Sequence, residues 1–183
     1  MKNKKITFIP AVGLLLLVSW APNTRKVIRV DKGQYSLVEQ PGGATLGYSP
    51  KSGVKIIKVG KYYFKDLNRN GKLDQYEDWR LPFEVRARDL AARLSYDEIA
   101  GLMLYSAHQQ IPAPAQGYGA STYNGKPFSE SGAQPSDLSD VQKQFLKNDH
   151  LRAVLITKVK SPEVAATWSN NLQAYVEGLD HGI

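Results

Sequence analysis

The sequence predicts an α/β protein. The prediction rests on one strand pattern and the two helix patterns that flank it. Residues 152–159, RAVLITKV, form a short β-branched run with the length of a buried strand. Helical patterns lie on both sides of it. One begins with the capping box at 139–142, and the other follows the cap at 161–163 and extends to Glu177. A helix, a buried strand and another helix in this order are typical of a parallel sheet covered on both faces.

The strand predicted at 152–159 needs a parallel partner. No other segment shows an equally clear pattern of a buried strand. A single strand cannot form a parallel sheet. The final three residues, 181–183, resemble the first residues of another strand. We therefore expect the chain to be the front part of a larger α/β protein.

Residues 1–21 predict a secretory signal peptide. A lysine-rich start at 2–5 precedes an uncharged apolar run at 6–20, and Ser19 and Ala21 supply small residues at the spacing that signal peptidase requires. A membrane anchor is the alternative, although this run is shorter than the ~20 apolar residues that span a bilayer. We expect a periplasmic or extracellular protein without a membrane anchor after cleavage.

The composition argues against several classes of function. Residues 1–21 contain three lysines and no acidic residue, so their removal lowers the net charge from +7 to +4. This mild excess does not indicate nucleic-acid binding, and the lysines between 51 and 65 are better explained as solvated strand positions than as a polyanion site. These are Lys51, Lys55, Lys58, Lys61 and Lys65. The absence of cysteine excludes disulfides, a thiolate nucleophile and cysteine-based zinc sites within this sequence.

The segments between the N-terminus and the α/β unit alternate between strand and helix patterns. Residues 22–50 are rich in turn formers, which predicts an irregular leader or short strands, and 54–64, VKIIKVGKYYF, predicts a hairpin or bulged strand. Helical spacing begins after Pro82, and the capping box at 95–98 opens a second helix. Residues 108–138 are rich in Gly, Pro and Ser, which predicts a long loop of the kind that is functional or disordered.

Residues 66–77, DLNRNGKLDQYE, match the calcium-loop pattern D-x-[DN]-x-[DN]-G-x5-E at every specified position. Calcium binds about six to eight oxygen atoms, and alternate residues of a tight loop direct oxygen atoms towards one point. The predicted ligands are Asp66, Asn68, Asn70, the backbone carbonyl of Lys72, Asp74 and Glu77. The alternative is an Asn-Gly turn without metal, which leaves Asp74 and Glu77 unexplained.

The surroundings of this loop indicate a structural calcium site. The residues before it, KYYF, read as a strand, whereas a paired EF-hand has a helix at this place. The sequence contains no second copy of the loop. We therefore expect calcium to stabilise the structure rather than to open a groove, with a dissociation constant as weak as ~10⁻⁴ to 10⁻³ M.

No other residues form a motif for catalysis or metal binding. The three histidines, His108, His150 and His181, are far apart and lack the spacing of a zinc pair. Ser106 lies close to His108, but a triad needs a third group and an oxyanion hole. The segment 117–122, GYGAST, lacks the lysine and the preceding strand of a phosphate-binding loop.

Four stretches of the sequence carry a resemblance to a known family. They are FKDLNRNGKLDQYEDWRLP at 64–82, RARDLAARLSYDEIAGLML at 86–104, FLKNDHLRAVLITKVKSPEVAATWSNNLQAYVEGL at 145–179, and the final Gly182-Ile183. Together they resemble the N-terminal part of secreted bacterial glycoside hydrolase family 3 enzymes of the β-glucosidase type, over roughly residues 55–183.

The resemblance implies an incomplete N-terminal part of a (β/α)8 TIM-type barrel. Such enzymes hydrolyse β-linked glucosides with retention, using an aspartate nucleophile and a separate acid. In the family the nucleophile lies on a late barrel strand and the acid lies later still in the sequence, so we assign no catalytic residue within 1–183. A complete barrel needs about 200 residues or more, which exceeds the chain left after signal cleavage. We expect this chain to be inactive by itself.

The predicted organisation follows from the motifs and the resemblance together. It consists of a signal peptide at 1–21, an N-terminal extension with the calcium-binding-like loop at 22–81, and the start of the barrel domain at 82–183. The predicted substrate of the full-length enzyme is a β-linked oligosaccharide or glucoside. The alternative function is that of a non-enzymatic exported calcium-binding module that presents the 108–138 loop to a partner.

Overall fold

The computed structural model describes residues 27–33 and 35–183, so the predicted signal peptide at 1–21 lies outside the described residues. Within the described part the protein is a mixed α/β arrangement of five α-helices and three small β-sheets, without a closed barrel. Among these helices none combines the length and the apolar character that crossing a bilayer requires.

The N-terminal extension begins with a three-stranded antiparallel sheet. Its strands are β1 (Ile28–Asp31), β2 (Ser36–Glu39) and β3 (Leu46–Tyr48), with β2 in the middle. Val38 on β2 is fully buried. Of the two structures that the turn-rich composition allowed for residues 22–50, short strands are therefore the one found in the described part of this range, 27–33 and 35–50.

A β-hairpin precedes the acidic loop, as predicted. It pairs β4 (Lys55–Val59) with β5 (Tyr62–Asp66), and Gly60 provides the left-handed backbone conformation, φ +62°, that its turn requires. Phe64 on β5 is fully buried and stacks on Trp79, with ring centroids 5.4 Å apart. This aromatic pair holds the hairpin against the segment that follows the loop.

Two short helices follow Pro82. Helix α1 spans Phe83–Ala91, and helix α2 spans Tyr96–Leu102. The predicted capping box of α2 is present, because Glu98 N donates to Ser95 Oγ (3.2 Å) and Ser95 N donates to Glu98 Oε2 (2.7 Å). Helix α2 ends at Leu102, and three residues later Tyr105 forms a parallel bridge with Ala153.

The expectation that the strand near 152–159 has no parallel partner within the chain is wrong. Strand β6 (Gln109–Ile111) lies inside the predicted long loop and pairs in parallel with β7 (Ile156–Val159). A strand of three residues that contains two glutamines and precedes a proline shows no period in the sequence. The loop also contains a short helix, α3 (Phe128–Ser131).

Helices α4 (Asp140–Asn148) and α5 (Pro162–Glu177) pack against the β6–β7 pair and enclose the main hydrophobic core. The order is strand, helix, strand, helix, which is the repeating unit of parallel α/β folds. The core is formed by Ile111, Leu138, Phe145, Leu146, Leu151, Trp168 and Val176.

One buried amide side chain connects the elements of this core. Gln142 on α4 is 1% exposed, and its Oε1 accepts hydrogen bonds from Trp168 Nε1 (3.0 Å) and from the backbone N of Ser139 (3.1 Å). Its Nε2 donates to Gln109 Oε1 on β6 (3.4 Å). Gln142 therefore joins α4, α5 and β6, and its burial is acceptable because its polar atoms are paired.

Asp140 anchors the segment between β6 and α4. Its carboxylate accepts hydrogen bonds from Thr122 Oγ1 (2.6 Å), Asn124 N (3.0 Å) and Gly125 N (2.8 Å). Burial raises the pKa of this carboxyl group, but the three hydrogen bonds outweigh burial, so the pKa of Asp140 lies below its ordinary value of 3.8. Residues 122–125, in the middle of the predicted loop, are therefore tied to the start of α4.

We predict that Gln142→Leu destabilises the α4–α5 pair, because the Trp168 indole N–H and the Ser139 N–H lose their buried acceptor. Amide hydrogen exchange in both helices should become roughly tenfold faster or more. Gln144→Leu is the matched control, since Gln144 is exposed on the same helix. Equal exchange rates in the two variants would contradict this role of Gln142.

We predict a pH-dependent role for Asp140. Because its pKa is lowered, its stabilising contribution is fully present above pH 3.8 and is lost as the pH falls through the lowered value. Asp140→Asn should accelerate pepsin cleavage near Tyr123 and Phe128 at about pH 4, and the difference from wild type should shrink as the pH is lowered further and the Asp140 carboxyl group becomes protonated. Asp149→Asn makes the same charge change at the other end of α4 and should have little effect.

Candidate metal-binding loop

Asp66 closes the 66–77 loop from its first position. It is the last residue of β5, it is fully buried, and its Oδ2 accepts a hydrogen bond from Gly71 N (3.0 Å). Gly71 has φ +77°, a conformation that glycine adopts at little cost. The chain therefore turns back on itself within six residues, as the glycine at this position predicts.

Glu77 closes the loop from its last position. Its side chain reaches back so that Oε1 accepts from Leu67 N (2.7 Å) and Asn68 N (3.3 Å), while Oε2 accepts from Asp74 N (3.1 Å). Glu77 is 4% exposed and lies on the short 3₁₀ helix Gln75–Glu77. Both of its carboxylate oxygens are thus directed into the loop, where they hold three backbone N–H groups.

The middle of the loop is organised around Asp74. Its Oδ2 accepts hydrogen bonds from the side-chain amides of Asn68 and Asn70, each at 2.7 Å. Its Oδ1 accepts from Arg93 (2.9 Å), which follows α1. The predicted ligand side chains of positions 68, 70 and 74 therefore meet, but with the amide nitrogens directed at the carboxylate. The Lys72 side chain is exposed, and Lys72 N donates to Asn70 Oδ1 (2.7 Å).

Asp66 Oδ1 is a buried oxygen atom with no hydrogen-bond partner among the described residues. Burying a carboxylate oxygen without a partner is unfavourable by about 1–3 kcal/mol or more. The other oxygen of the same carboxylate is occupied by Gly71 N. Asp66 Oδ1 is therefore a buried carboxylate oxygen that is free to accept a hydrogen bond or to bind a cation.

The two acidic residues at the end of the loop differ in electrostatic environment. Burial raises the pKa of Glu77, and the backbone donors of Asp74, Asn68 and Leu67 offset this only in part. Burial also acts on Asp74, but the amides of Asn68 and Asn70 and the Arg93 guanidinium lower its pKa overall. Glu77 therefore lacks a compensating positive charge, whereas Asp74 has one in Arg93.

Among the described residues, no group of three or more His, Cys, Asp or Glu side chains is arranged to hold a metal ion. Two of the five predicted side-chain ligands are asparagines, and Asp74 is turned towards Arg93. The calcium site thus stays a prediction that rests on the sequence pattern, the closed loop and the unpaired Asp66 oxygen.

Ser106 and the histidines do not form a catalytic group. Ser106 is buried, donates to the Ala107 carbonyl (2.7 Å) and accepts from Leu155 N (3.1 Å), which are structural contacts. Sequence reasoning missed a surface cavity of about 380 Å³ that includes Glu98, His150, Arg152 and His181 in its lining. His181 Nε2 lies 3.8 Å from Glu98 Oε1. These residues are distant in sequence, so no local pattern could have indicated their proximity.

Comparison with known proteins relates a segment of the chain to an enzyme. No protein-family model matches the chain. A 70-residue segment, 38% of the chain, is 47% identical to a periplasmic beta-glucosidase/beta-xylosidase of Dickeya chrysanthemi. The matched segment amounts to 10% of the length of that relative. Over this segment the chain is therefore related to a glycosidase.

We predict that Glu77 organises the loop even without metal. In the presence of a chelator, Glu77→Ala should make amide exchange within 66–77 roughly tenfold faster, because three backbone N–H groups lose their acceptor. Glu84→Ala, which removes an exposed glutamate from α1, should leave these rates unchanged. Unchanged exchange in Glu77→Ala would show that the loop does not depend on this carboxylate.

Proposed function

We propose that the chain is the N-terminal part of an exported glycoside hydrolase of the β-glucosidase type, similar to family 3 enzymes. The observation that carries this proposal is the 47% identity over 70 residues to a periplasmic beta-glucosidase/beta-xylosidase. The periplasmic relative and the predicted signal peptide at 1–21 both support export. In this proposal 22–81 is an N-terminal extension, and 82–183 begins a (β/α)8 barrel that acts on β-linked glucosides or oligosaccharides.

The arrangement of β6, α4, β7 and α5 supports the barrel part of the proposal. Two neighbouring parallel strands are each followed by a helix that packs against them, which is the unit that a (β/α)8 barrel repeats eight times. The carboxyl ends of barrel strands carry the active site in such enzymes. At that end of β6 and β7 lies an open cleft lined by residues that include Gln110, Phe128 and Lys158.

The hydrolysis that the proposed enzyme performs requires two carboxyl groups, and neither is assigned to a residue within 1–183. Retaining hydrolysis needs two carboxyl groups about 5 Å apart on opposite sides of the scissile bond. By resemblance, the nucleophile of the full-length enzyme lies on a late barrel strand, and the acid lies later still in the sequence. The residues of β6 and β7 would contribute the first part of the substrate-binding face, and no proton transfer or nucleophilic step is assigned to them.

We predict that the purified chain does not hydrolyse p-nitrophenyl β-glucoside above the buffer rate, because it lacks the carboxylate pair. The measurement is release of p-nitrophenol at neutral pH, with a complete β-glucosidase assayed in parallel as the positive control. Robust hydrolysis by the purified chain would contradict the proposal that both catalytic residues lie after residue 183.

The 66–77 loop is proposed to bind calcium as a structural ion. Five side chains and the Lys72 carbonyl supply oxygen donors, which suits a hard cation, and calcium would give Asp66 Oδ1 the positive partner that it lacks. The Asn68 and Asn70 amides present oxygen in place of nitrogen after a half-turn about the last side-chain torsion. Arg93 competes for Asp74, which is consistent with the weak affinity expected of extracellular calcium modules.

We predict calcium binding by the wild-type chain in isothermal titration calorimetry at up to millimolar calcium. Asp66→Asn is the sharpest variant, because the amide oxygen can still accept from Gly71 N while the unpaired oxygen becomes an NH₂ group. It should weaken binding about tenfold or more, and Glu77→Ala should weaken it further. Glu84→Ala is the control that should bind normally. The absence of binding heat in wild type at millimolar calcium would refute the site.

The second candidate function is that of a non-enzymatic exported calcium-binding module that presents the 108–138 region to a partner. The anchoring of this region by Asp140 favours it, because a held segment is a better docking surface than a free one. A cooperative, calcium-dependent unfolding transition of residues 22–183 alone would favour the module. Aggregation would favour the barrel part, because the β6–β7 pair has strand edges without partners among the described residues.

A further inference from the structure

The 66–77 loop contacts the C-terminal end of α5, more than 100 residues away in sequence. The Arg69 guanidinium donates to the backbone carbonyls of Glu177 (3.2 Å) and Leu179 (3.4 Å). The last carbonyls of a helix have no donor within the helix, and a cation at this end interacts favourably with the helix dipole. Arg69 therefore caps α5 from outside the helix.

The backbone of Arg69 depends on the loop. Its φ is +59°, a left-handed conformation that is uncommon for residues other than glycine. The predicted ligands Asn68 and Asn70 stand on both sides of it, and Asn70 N donates to Asn68 Oδ1 across it (3.2 Å). Any group that holds positions 68 and 70 together also restrains the conformation from which Arg69 reaches α5.

Further contacts attach the residues after α5 to the same loop. Gly182 lies against Leu67 so closely that a Cβ atom at position 182 would be 2.8 Å from Leu67 Cβ. Tyr76 Oη donates to the His181 carbonyl (3.5 Å), and Lys65, on β5, forms an ion pair with Glu177. The segment 177–182 therefore contacts the loop at four positions, which are Glu177, Leu179, His181 and Gly182.

We propose that cation binding in the 66–77 loop orders the segment 177–182 and so controls how the chain leaves α5. This inference rests on the proposed calcium site. A cation held by Asn68 and Asn70 restrains Arg69 between them, and one held by Asp66 and Glu77 restrains the neighbouring Leu67 and Tyr76. The docked segment also places His181 next to Glu98 in the cavity of about 380 Å³. Cation binding in the loop thereby also affects this cavity, which lies outside the loop.

The test is hydrogen exchange of the whole chain, measured in chelator and in calcium at ten times the dissociation constant. Coupling predicts that calcium slows exchange in 177–182 by up to about tenfold, because binding at this concentration favours the docked state by at most about this factor. Exchange in α4, which does not contact the loop, is the internal reference.

Arg69→Gly separates binding from docking. Glycine retains access to the left-handed conformation and Arg69 is not a proposed ligand, so the variant should still bind calcium in calorimetry, with an affinity reduced by no more than about tenfold because the coupling is reciprocal. The calcium-dependent protection of 177–182 should be lost because the guanidinium cap is gone. Retention of full protection in this variant would overturn the inference.

Gly182→Ala is a second variant that leaves the loop sequence intact. Its Cβ meets Leu67 and should reduce the calcium-dependent protection of 177–182. Gly132→Ala is the matched control, because Gly132 has a similar φ of +70° but no atom within 4 Å of the added Cβ. Equal protection in the two variants would contradict the docking contact.

Calorimetry and exchange in wild type distinguish the two proposals. Calcium binding with an unchanged exchange rate in 177–182 would overturn the coupling and leave the site standing. The absence of calcium binding would overturn both. Calcium binding with protection confined to 66–77 and 177–182 is the result that supports the inference.

Discussion

The structure around the candidate site depends on the burial of two carboxylates, Asp66 and Glu77. A buried negative charge requires donors, and here backbone N–H groups of the same loop provide most of them. Satisfying these oxygens forces the chain into a closed turn, with Gly71 in a left-handed conformation. One oxygen of Asp66 remains without a partner among the described residues. The proposed cation would bind this oxygen.

The closed loop is a junction between parts of the chain that are distant in sequence. On one side, Tyr76 N donates to Asp89 Oδ2 on α1 (3.0 Å), and Arg93 joins Asp74 to the same helix region. On the other side, Arg69 caps the end of α5. The loop therefore fixes the N-terminal extension to the β6–α4–β7–α5 unit. A structural ion bound in the loop would stabilise this junction in a sequence that contains no cysteine and so forms no disulfides.

The relationship to a glycosidase and the architecture of the α/β unit support each other. The identity to the periplasmic relative covers 38% of the chain, and the parallel β6–β7 pair with its two helices has the form of a barrel repeat. Gln142 connects this unit internally through a buried amide whose oxygen and nitrogen both form hydrogen bonds. The first α/β unit of the proposed barrel would thus have a core that is held together by polar as well as apolar contacts.

The sequence by itself determined the features that depend on neighbouring residues. The hairpin before Asp66, the capping boxes at Ser95 and Ser139, and helix α5 were predictable because their hydrogen bonds join residues a few positions apart. Only the tertiary structure decided the pairing of β6 with β7, the grouping of Glu98 with His181, and the reach of Arg69 to α5. These contacts join residues about 45 to 110 positions apart, and packing rather than local periodicity selects such partners.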